Sequence, residues 1–101
     1  MNNIKILYFN IETIDGSTLE MSLRNSAEYV GHIEIKPGLL LINFRGTARE
    51  LYNSLSDEIK ENSILIYDLD KEKDSYWGYM NKNIWDWIEQ NSSEEQNNLV
   101  D

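Results

Sequence analysis

A chain of 101 residues has room for one hydrophobic core and excludes a second domain, and its 41% apolar content with three tryptophans, six tyrosines and two phenylalanines is enough to build that core. The absence of cysteine excludes a disulfide framework, a cysteine nucleophile and thiolate metal sites. The formal net charge of −9 comes entirely from residues 50–101, with thirteen acids against four bases, while residues 1–49 balance five against five; this argues against direct nucleic-acid binding and favours a basic partner.

The start, MNNIKILYFN, lacks the basic region and cleavage site of a secretory signal, and no apolar run approaches the roughly 20 residues that cross a bilayer. A cytoplasmic protein without a membrane segment is therefore the expectation. Residues 4–13, rich in β-branched and aromatic types, read as a central strand with Ile4, Ile6 and Tyr8 on one face and Lys5, Leu7, Phe9 and Ile11 on the other. Asp15-Gly16 reads as a hairpin turn, and the alternation of Leu19, Met21 and Leu23 after it predicts a second, half-buried strand. Asn25 to Gly31 is either a single helical turn or an irregular crossing. His32–Lys36 and Leu39–Phe44 then form a hairpin around Pro37-Gly38, whose proline and glycine suit the central positions of a type II turn.

Thr47 to Ile59 predicts a helix opened by a capping box of Thr47 and Glu50, with Leu51, Tyr52, Leu55 and Ile59 facing the sheet. Ser63–Leu69 is the next strand, Ile64, Ile66 and Asp68 on one face and Leu65, Tyr67 and Leu69 on the other. A charged turn and a short extended segment, YWGYM, follow. A last helix begins at Asn81 or Asn83 and runs to about Gln90 with Ile84, Trp87 and Ile88 on its buried face. The expected fold is a single α+β domain over residues 1–91, a mostly antiparallel sheet of five or six strands in the order β-β-(short α)-β-β-α-β-β-α covered by one or two helices. Residues 92–101, polar and aperiodic, are expected to be a disordered tail.

The segment FNIET resembles the first motif of the DnaQ-like exonuclease family, in which an acid pair two residues apart holds divalent metals. Glu12 matches the second carboxylate, but Asn10 stands at the first and cannot supply the anionic ligand of a two-metal site. Asp68, Asp70, Glu72 and Asp74 share the two-residue spacing of a calcium loop, yet Lys73 and Tyr79 occupy the positions that need glycine and a bidentate acid. His32 is the sole histidine, so no histidine cluster or histidine pair exists, and no serine sits in a nucleophile elbow. No cofactor motif is present, and an enzyme is the less favoured reading. A small hydrolase or nuclease remains the alternative in which distant carboxylates meet in the fold.

Two surfaces remain. Arg45, Gly46, Thr47 and Arg49 flank a helix N-terminus, where free amides suit a phosphate or small anionic ligand, the basis of a regulatory ligand-binding alternative. Tyr76, Trp77, Tyr79 and Trp85 stand beside Asp68, Asp70, Asp74 and Asp86, and aromatics among acids are what a protein interface needs. The leading expectation is a non-enzymatic protein-binding domain, an acidic inhibitor, immunity-type partner or adaptor that masks a basic protein surface. A homodimer is the other association that such a surface admits.

Overall fold

The computed structural model describes residues 3–69 and 81–100, the span 92–100 by its backbone alone. The elements are β1 (Ile4–Phe9), α1 (Gly16–Arg24), β2 (Tyr29–Lys36), β3 (Leu39–Phe44), α2 (Ala48–Ser54), α3 (Asp57–Lys60), β4 (Ile64–Asp68) and α4 (Lys82–Val100). Among the described residues the sheet has four strands in the order β2-β3-β1-β4, every neighbouring pair antiparallel. This corrects the expected sheet of five or six strands. The YWGYM segment, expected as a short strand or extended segment, lies outside the described residues.

The main correction is α1. Thr18–Arg24 is helical where alternation suggested a strand, because Asp15 caps a helix rather than making a hairpin turn. Its Oδ2 accepts both the Thr18 N–H and the Thr18 hydroxyl at 3.1 Å. The 3.6-residue period then puts Leu19 and Leu23 in the core on one face with Ser22, while Met21 points away and is 67% exposed. Without that hairpin, β1 takes β3 and β4 as its neighbours and becomes the central strand that its two apolar faces implied.

The β2–β3 hairpin is present, with Gly38 at φ +91° as the turn requires. β2 starts earlier than expected, at Tyr29, after a turn in which the Tyr29 N–H donates to the Ser26 carbonyl. The long helix expected over Thr47–Ile59 is broken into α2 and α3. Leu55 and Ser56 are both extended, and the Ser56 N–H donates to Ser22 Oγ at 3.0 Å, so the break is stitched to α1. The Tyr52 hydroxyl bridges it by donating to the Lys60 carbonyl at 2.9 Å. Leu51, Leu55 and Ile59 nevertheless all enter the core, as their spacing suggested.

Two apolar clusters sit on the two faces of the sheet. On one face α1, α2 and α3 cover Leu7, Phe9, Leu40, Ile42 and Phe44. On the other, Ile84 and Ile88 of α4 pack on Ile4 and Leu41, with Leu69 completing the cluster. Helical layers on both faces are the reason β1 and β3 read as near-continuous apolar runs. α4 runs from Lys82 to Val100. Asn91 joins α4 to the sheet: the Asn43 amide donates to Asn91 Oδ1 at 2.9 Å, and Asn91 donates to the Trp87 carbonyl at 2.8 Å.

Candidate functional site

The register maps the α4-bearing face of the sheet as a grid. Leu39, Tyr8 and Leu65 stand side by side across β3, β1 and β4, and Leu41, Ile6 and Tyr67 form the next row. Beyond them come Asn43 and Ile4, with Leu69 bound to the Ile4 carbonyl through its N–H. Burial falls along the diagonal of this grid. Ile4, Leu41, Asn43 and Leu69 are buried, Ile6 and Leu39 are half-buried, and the corner formed by Tyr8 (51% exposed), Leu65 (58%) and Tyr67 (48%) faces solvent. Among the described elements, α4 makes its main contacts with β1 and β2. Tyr8 and Leu65 are directly opposed, which puts them about 5 Å apart, and Tyr67 is the diagonal neighbour of Tyr8 at about 7–8 Å, so the three exposed side chains form one contiguous patch.

The members of the contact surface expected from sequence are distributed as follows. Asp68 lies on the opposite face of β4, where its carboxylate meets the Lys5 ammonium at 3.0 Å; Lys5 is 1% exposed. Trp85 is half-buried against the α4 cluster, as is Trp87. Asp86 accepts from Lys82 at 2.9 Å one helical turn away, and that bond, its charge and that of Glu89 push the Lys82 ammonium up from its ordinary range. Asp70, Asp74, Tyr76, Trp77 and Tyr79, with the calcium-like spacing they belong to, lie outside the described residues. Tyr8, Leu65 and Tyr67 were missed because their runs look like interior strands. The alternation did carry the signal, since it put Leu65 and Tyr67 on one face, but it cannot show that a helix leaves that face uncovered.

At the second expected surface, the helix N-terminus is already occupied by the chain itself. The Glu50 carboxylate accepts the Thr47 N–H at 2.8 Å and Thr47 Oγ1 accepts the Glu50 N–H at 3.0 Å. Gly46 is needed there, since a Cβ would stand 2.8 Å from the Phe44 ring and 2.9 Å from the Glu50 carboxylate. Arg45 and Arg49 are exposed beside this box. Of the amides at this N-terminus, that of Thr47 thus serves the Glu50 carboxylate and that of Glu50 the Thr47 hydroxyl.

A third cluster joins α1 to β2. The Tyr29 hydroxyl and His32 Nδ1 are 2.6 Å apart, His32 Nε2 is 4.0 Å from Glu20, and Glu20 pairs with Arg24 at 3.1 Å. Arg24 in turn lies over the Tyr29 ring at 5.8 Å. Burial pushes the Tyr29 phenol up from its ordinary value, the Arg24 cation partly offsets this, and Glu20 adds to the rise. Beside the cluster, Phe9, Ser17, Leu19, Glu20, His32 and Glu34 help line a cleft of about 320 Å³. His32 is oriented by Tyr29, but no hydrogen bond links it to Ser17, so the cleft presents no paired nucleophile and base.

Asn10 of the nuclease-like segment is used structurally, its Oδ1 accepting the Glu12 N–H at 2.9 Å. Among the described residues no three histidine, aspartate or glutamate side chains converge to hold a metal ion, and no helix is long and apolar enough to cross a membrane. Comparison with protein-family models, with curated proteins and with solved structures returned no match.

Proposed function

We propose that this chain is a non-enzymatic protein-binding domain, of the acidic inhibitor, immunity-type or adaptor kind, whose contact surface is the corner formed by Tyr8, Leu65 and Tyr67. The observation that supports it is the exposure of these three large side chains, each about half open to solvent on adjacent strands, beside a face that α4 otherwise covers. Apolar side chains scattered singly over a surface are ordinary, whereas a contiguous aromatic and aliphatic patch is what recognition surfaces present. The partner is basic. β4 and α4 both belong to the half of the chain that carries the whole net charge of −9, and a negative field speeds encounter with a positive surface. The same charge works against a homodimer, since two copies would bring like charges together.

The test is capture of partners by the purified protein from its host extract, compared with a triple variant carrying Tyr8→Ser, Leu65→Ser and Tyr67→Ser. Circular dichroism should show an unchanged fold, because the removed side chains are half exposed, and the captured basic protein should be lost. Equal capture by both proteins would reject this surface.

A further inference from the structure

We draw no further inference here: the strongest candidate, the cleft between α1 and β2 lined by Ser17, Glu20, His32 and Glu34, joins the first turn of a helix to two carboxylates, one already paired with Arg24, and among the described residues no unpartnered buried polar side chain lines it to show what ligand it would take.

Discussion

Gly38 occupies the left-handed region at φ +91°, and a Cβ there would stand 2.8 Å from the Phe9 carbonyl oxygen. The turn cannot drift away, because the Phe9 N–H donates to the Gly38 carbonyl at 2.9 Å. Gly38→Ala is therefore expected to destabilise the fold by about 1–3 kcal/mol, measured by urea unfolding; a loss below about 0.5 kcal/mol would show that the turn relaxes freely. Tyr29 makes a prediction of opposite kind. Burial raises its phenol pKa, so the fold favours the neutral form. That contribution is intact below the unfolded-state value near 10 and disappears as pH rises through the higher folded-state value. Absorbance titration near 295 nm should show a tyrosine ionising above the ordinary range, and Tyr29→Phe should remove that step.

At the scale of elements, α1 separates two readings of one segment. A strand would group Leu19, Met21 and Leu23 on a single buried face, while the helix buries Leu19 and Leu23 and turns Met21 outward. Leu23→Ala should cost about 2–4 kcal/mol, whereas Met21→Ala should stay within about 0.5 kcal/mol. Comparable losses from the two would restore the strand. The break between α2 and α3 follows similar reasoning. Leu51, Leu55 and Ile59 keep their helical spacing in sequence, but Ser22 of α1 takes the Ser56 N–H, and the chain gives up continuous helix for a contact between elements. Local pattern described which side chains are buried; a distant hydroxyl decided the path of the backbone between them.

For the whole molecule, the separation of charge from the balanced first half makes association salt-dependent. Under the proposed function, with a net charge of −9, binding of a basic partner should lose about tenfold or more in association rate between low and high salt, with a smaller change in dissociation. Stopped-flow or surface-binding kinetics across a salt series would measure this. An association rate indifferent to salt would rule out electrostatic guidance and leave the apolar corner to act alone.

The sequence by itself determined the α+β class, the β2–β3 hairpin, the two faces of β1 and β4, the capping box at Thr47 and the buried stripe of Leu51, Leu55 and Ile59. Each rests on interactions within a few residues or on a period repeated along one element. Strand number and order, and the nature of Thr18–Arg24, were decided only in three dimensions. A short run in which Leu19, Met21 and Leu23 alternate and Leu19 and Leu23 also lie four apart satisfies both periods, and the Asp15 cap and the core beneath α1 select the helix. The candidate site belongs wholly to the tertiary structure. Tyr8, Leu65 and Tyr67 carry the same apolar signature as the buried residues around them, and only the packing of the elements leaves them exposed, with α4 making its main contacts with β1 and β2 among the described elements.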